Sequence, residues 1–67
     1  MFKFELGDKV TAIDMKEGHI TACIYDERGL CYEINFTVKI GDKLVTITGN
    51  RRAEHELASG WRSEDAG

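Results

Sequence analysis

The chain has no proline, only two cysteines, no long apolar run and no excess of basic residues. Each absence excludes something. Two cysteines, Cys23 and Cys31, are too few for a disulfide-rich secreted scaffold. They stand eight residues apart rather than in a C-x-x-C pair, and no second pair completes a zinc site. No stretch approaches the roughly 18 apolar residues of a membrane span. The start, Met1-Phe2-Lys3-Phe4-Glu5, lacks the basic region and apolar run of a secretory signal. The expected setting is therefore the cytoplasm, with reduced thiols and no membrane. The formal net charge is -3, so the basic excess that phosphate neutralisation requires is missing.

What is present is glycine at near-regular intervals. Gly7, Gly18, Gly29, Gly41, Gly49 and Gly60 are separated by 8 to 12 residues, the turn spacing of a small sandwich or barrel. β-Branched and aromatic residues fill the gaps, as in Val10-Thr11-Ala12-Ile13 and the run from Tyr32 to Ile40. No segment sustains a 3.6-residue period over helix length. Only Ala53-Glu54-His55-Glu56-Leu57-Ala58 has helix-favouring composition, enough for a turn or two. A chain of 67 residues makes one domain. Residues 1–61 form it, and the small and charged residues 62–67 read as a flexible tail.

Register can be read for two hairpins. Asp26-Glu27-Arg28-Gly29 suits a type I turn capped by the Asp26 carboxylate, with glycine in the left-handed position. Pairing Asp26 with Leu30 sets Ile24 opposite Tyr32, Ala22 opposite Ile34 and Ile20 opposite Phe36, all on one face. His19, Thr21, Cys23, Tyr25, Cys31, Glu33, Asn35 and Thr37 take the other. A one-residue shift would set Ile24 against Cys31 and Ala22 against Glu33, spoiling the division. In the second hairpin, Ile40-Gly41-Asp42-Lys43 suits a type II′ turn. It pairs Val38 with Val45 and Phe36 with Ile47 on the apolar face, and Thr37 with Thr46 and Asn35 with Thr48 on the polar one. The buried face then needs a cover. Phe2, Phe4, Leu6, Val10, Ala12 or Ile13, Leu57 and Trp61 are the residues that could supply it if the meander curls on itself.

Four short strings resemble SH3-like barrels. Leu6-Gly7-Asp8-Lys9-Val10 looks like their opening, and Gly18-His19-Ile20 like the strand after the long first loop. Tyr32-Glu33-Ile34 is similar to the third strand, and Glu54-His55-Glu56-Leu57 to the short 3₁₀ turn before the last. The resemblance implies an all-β, five-stranded SH3-like barrel, a meander with that 3₁₀ turn before the final strand. It does not extend to the type II dihydrofolate reductase built on this fold. Where that enzyme has V-Q-I-Y in its fourth strand, this chain has Val45-Thr46-Ile47-Thr48, without the glutamine and tyrosine that would hold folate and nicotinamide.

No constellation carries chemistry. His19 and Cys23, four apart on a strand, are about 13 Å apart and cannot share an ion. Cys23 and Cys31 lie on a diagonal of roughly 7–8 Å, at or past the limit for a disulfide. His55, between two glutamates, has no nucleophile or paired base. There is no phosphate loop or nucleophile elbow. The chain is expected to be no enzyme and to need neither metal nor cofactor. The candidate contact residues are Tyr25 and Trp61, as aromatic anchors, and the Arg51-Arg52 pair. The leading expectation is a protein-binding module that engages another protein or a copy of itself. By resemblance, small barrels of this kind occur on phages and mobile elements. The alternative is a nucleic-acid-binding barrel, using its scattered lysines and arginines with Tyr25 or Trp61 stacked on bases.

Overall fold

A computed structural model describes residues 2–65. Five strands alternate with turns: β1 (Lys9–Ala12), β2 (Glu17–Asp26), β3 (Gly29–Ile40), β4 (Lys43–Ala53) and β5 (Leu57–Ser59). A 3₁₀ turn, Glu54–Glu56, precedes β5, and one helical turn, α1 (Arg62–Asp65), follows it. The fold is all-β, with every pairing antiparallel, in one sheet of order β4-β3-β2-β1-β5. The sheet is not closed into a barrel. β4 and β5 are its two edges and do not pair with each other.

Turn chemistry acts as its residues dictate. The Asp26 carboxylate accepts the Arg28 amide at 2.8 Å, and Gly29 takes φ +109°. Gly41 takes φ +60° at the second turn. Before β5, the Glu56 carboxylate reaches back to the Ala53 amide at 2.8 Å and holds the 3₁₀ turn.

The second hairpin has the expected register. Ile40 pairs with Lys43, Val38 with Val45, Thr37 with Thr46 and Phe36 with Ile47. The pairing of Asn35 with Thr48 does not occur. An extra residue in β4 sets Ile34 opposite Asn50, with Gly49 at φ +75° and the Asn50 amide bound to the Ile47 carbonyl at 3.0 Å.

The first hairpin corrects the expected register by one residue. Asp26 pairs with Gly29, Ile24 with Cys31 and Ala22 with Glu33. A bulge at Thr21 then absorbs the mismatch, so that Ile20 meets Ile34 and Gly18 meets Phe36. One unpaired residue reverses the faces of everything beyond it. Cys23, expected outside, lies inward beside Tyr32 and packs on the core. Ala22 and Ile24, expected inside, lie with Glu33 and Cys31 on the outer face and are half-buried.

The core is Phe4, Val10, Ala12, Ile20, Tyr32, Ile34, Phe36 and Leu57. Of the expected cover, Phe2, Leu6 and Ile13 remain exposed. Burial stops at Phe36. β3 and β4 run 12 and 11 residues, whereas β1 and β5 have 4 and 3, so the short strands do not reach the distal ends of the long ones. Val45 and Ile47, expected in the core, are each 39% exposed for that reason.

Of the expected tail at 62–67, residues 62–65 form α1, and 66 and 67 lie outside the described residues. Lys9 Nζ meets Glu64 Oε1 at 2.6 Å, and the Ser63 amide and hydroxyl both donate to the Glu17 carboxylate at 2.9 Å.

Candidate functional site

The distal part of β3 and β4, residues 37–49, is a two-stranded ribbon beyond the reach of β2. β2 pairs with β3 only as far as Gly18 opposite Phe36, so among the described residues no strand pairs with either edge of the ribbon. The molecular extents of 40 × 24 × 19 Å fit a small body with a projecting arm. Alternation from Phe36 places Val38, Ile40, Val45 and Ile47 on the face that continues the core. The other face carries Thr37, Lys39, Leu44 and Thr46. Ile40 is 64% exposed and Leu44 73%. Monomeric soluble proteins seldom leave contiguous apolar surface of this kind without a use for it. Composition alone cannot distinguish these residues from core. The usable signal is strand length, since the strands outrun any neighbour that could cover them.

The aromatic candidates separate. Tyr25 is exposed at the end of β2. Trp61 is half-buried and engaged: its indole Nε1 donates to the Gly18 carbonyl at 2.9 Å, its ring meets His19 edge-on at 4.9 Å, and Lys9 Nζ lies 4.7 Å from the ring centroid. It closes the β1–β2 end of the sheet.

The arginine pair also divides. Arg51 pairs across the strand with Glu33, its Nε 3.9 Å from the carboxylate. Arg52 turns to the inner face, 3.6 Å from Asp14 and with its guanidinium 5.4 Å from the Phe36 ring centroid. Glu54, two residues on from Arg52 in the chain, is held by the Tyr32 hydroxyl and the Lys3 amide instead. Arg28 and Arg51 line, with Asp26, Leu30 and Cys31, a shallow cleft of about 250 Å³ between the β2–β3 turn and the end of β4. Lys43 stands at the far end of β4.

The buried polar feature is Tyr32, whose register position sequence reasoning assigned only to the core. Its hydroxyl accepts the Lys3 and Phe4 amides at 2.9 and 3.2 Å and donates to Glu54 Oε2 at 2.8 Å. Burial raises the Tyr32 pKa above its ordinary value, helped by the Glu54 carboxylate and opposed by the two amides. The Tyr32 hydroxyl and the Lys3 amide hold the Glu54 carboxyl below its ordinary value. This network ties residues 3 and 4 to the sheet.

His55 is exposed in the 3₁₀ turn, next to a second shallow cleft bordered by Ile13 and Met15. Among the described residues, no three His, Cys, Asp or Glu side chains gather as a metal site. No helix there is long and apolar enough to cross a membrane. The chain matches no protein-family model, no curated protein and no solved structure.

Proposed function

We propose that this chain is a non-enzymatic protein-binding module, a half-open SH3-like barrel whose contact surface is the β3–β4 ribbon. The observation that carries the reading is the apolar face of exposed Ile40, Val45 and Ile47 and half-buried Val38, on a ribbon with unpaired edges. A ribbon of this sort offers both routes of strand recognition: main-chain pairing along an edge and side-chain contact on a face. The barrel reading is supported by β1 lying between β2 and β5 and by the 3₁₀ turn just before β5. The free thiols of Cys23 and Cys31 fit a reducing cytoplasm.

The test compares the wild-type chain with a Val45→Lys/Ile47→Lys variant. Both positions are exposed in the monomer, so the fold is expected to survive, as circular dichroism would verify. A protein retained by the immobilised wild type and lost with the variant, then titrated in pure form, supports the module. Equal retention by both chains removes the ribbon from the reading.

A further inference from the structure

The module reading leaves open what occupies the β4 edge, and the inference here rests on that reading. We infer that the occupant is a second copy of this chain, paired antiparallel β4 to β4 about a two-fold axis at Thr46.

The edge is unprotected. Soluble proteins blunt edge strands with charges, proline or a covering element. Residues 44–50 contain neither a charge nor a proline, in a chain that is 31% charged. Lys43 and Arg51 bracket this stretch at either end. Gly49 places its bulge only at the far end, leaving the six residues before it to pair regularly.

The edge is also self-complementary in one register. Centred on Thr46, the pairing sets Val45 opposite Ile47 of the second copy, Leu44 opposite Thr48, and Lys43 opposite Gly49. Directly opposed residues share a face, so the inner apolar residues of both ribbons merge into one strip. The neighbouring registers fail. Centring on Ile47 opposes Lys43 to Arg51, like charge to like. Centring on Val45 sets Ile47 against Lys43. Centring between two residues joins the apolar face of one copy to the threonine face of the other.

The ends agree in charge. In the favoured register the Gly41-Asp42 turn of one copy lies alongside Asn50 and Arg51 of the other. The Arg51 side chain is 63% exposed and holds Glu33 only at 3.9 Å, so it is free to meet Asp42 of the second copy. Symmetry makes this contact twice. The turn also arrives beside the Asp14–Arg52 pair, where Ile13 and Met15 stand exposed next to Asp14 and offer apolar surface to Ile40. The regular pairs of this register, residues 44–48 of each copy, span about 17 Å. With these end contacts the pairing belongs to the small, transient class of interface rather than the obligate one.

Sedimentation equilibrium of the intact chain, from micromolar to about millimolar concentration, covers the affinities such an interface gives. The wild type is expected to associate to a dimer. Thr46 is exposed and pairs with Thr37 in its own chain, so Thr46→Lys and Thr46→Glu leave the monomer intact. Across the axis each variant opposes its own charge, and each is expected to weaken association by about tenfold or more. An equimolar mixture of the two opposes lysine to glutamate and is expected to regain it. A wild type that stays monomeric at about 1 mM overturns the inference, as does wild-type association by Thr46→Lys. A mixture that fails to recover overturns it too. If the wild type is monomeric yet a different protein is still retained through Val45 and Ile47, the second copy is excluded and the module stands.

Discussion

Tyr32 in β3 and Glu54 in the 3₁₀ turn, 22 residues apart in the chain, are joined by a 2.8 Å hydrogen bond. Glu54 Oε2 also accepts the Lys3 amide at 3.2 Å. A fully buried ring thereby holds the first described residues against the sheet, with Phe2 and Phe4 packed edge-on to it at 5.8 and 5.3 Å.

Tyr32→Phe keeps the ring and removes three hydrogen bonds. The buried Phe4 amide loses its acceptor, and leaving such a group unsatisfied costs about 1–3 kcal/mol. Urea unfolding should show that loss with an unchanged slope, and amide exchange at Lys3 and Phe4 should accelerate. Unchanged exchange at both would show that the hydroxyl does not anchor the segment.

The same pair contributes a pH dependence. Glu54 titrates below its ordinary value of 4.5 when folded, so the unfolded chain binds its proton first as pH falls. Its contribution is present above that value and is lost as pH drops through the folded pKa. Tyr32 is raised above 10.0, so the unfolded chain gives up its proton first at high pH. Its contribution is present below 10.0 and fades above it. Glu54→Gln should flatten the acid limb of a stability–pH profile and leave the alkaline limb sloping. An acid limb identical to wild type would assign that slope to other carboxylates.

Gly18 is needed for proximity. It sits buried in β2, and a Cβ built there would lie 2.1 Å from the Asn35 carbonyl oxygen and 2.8 Å from its carbon. Those are backbone atoms of the paired strand, so Gly18→Ala must push β2 from β3. Its carbonyl also accepts the Trp61 indole. The variant should lose about 1–3 kcal/mol or more, as overpacking does, with a change in tryptophan fluorescence. Native stability and an unshifted spectrum would show that the strands separate at little cost.

The all-β class, the turn residues and the second hairpin were legible because turn chemistry and alternation agree there. Gly41 fixes the turn, and Val38, Val45, Phe36 and Ile47 then fall on one side. The register of the first hairpin is not legible, because both registers are chemically acceptable at Asp26–Gly29 and a bulge at Thr21 leaves no composition signal. Gly18 reads as a turn glycine in the sequence, because crowding by a neighbouring backbone is a tertiary fact. In the sequence the ribbon reads as core, because Val45 and Ile47 look the same in either place. The count of covering residues is what distinguishes them.

The bulge has a consequence for the thiols. Cys23 faces the core, with its Sγ 3.6 Å from the Phe4 carbonyl, while Cys31 lies opposite Ile24 on the outer face. The sheet separates them, which forbids an intramolecular bridge. Without reductant, both should react with a thiol reagent in denaturant. Loss of both thiols, restored by reductant, would contradict this placement.

Weak binding to nucleic acid follows from where the charges sit. Lys9, Lys16, Arg51 and Arg52 each lie within 4 Å of a carboxylate, on Glu64, Asp14, Glu33 and Asp14 in turn. These pairs are mostly exposed and individually weak, so phosphate could displace them. The acids nonetheless remain in place and repel it. Arg28, Arg51 and Arg52 do border one cleft, but Asp26 borders it as well. Lys39 and Lys43 stand at the other end of the long strands, so no continuous basic track forms. Stacking offers little more. Tyr25 is free, but the Trp61 ring is already occupied by His19 and Lys9. Titration with fluorescent single- and double-stranded oligonucleotides at moderate salt should give a Kd no tighter than the non-specific range of about 10⁻⁴–10⁻⁶ M, weakening further as salt rises. Submicromolar binding at that salt would instead favour a nucleic-acid-binding barrel, with Arg28 and Arg51 as the first phosphate contacts to mutate.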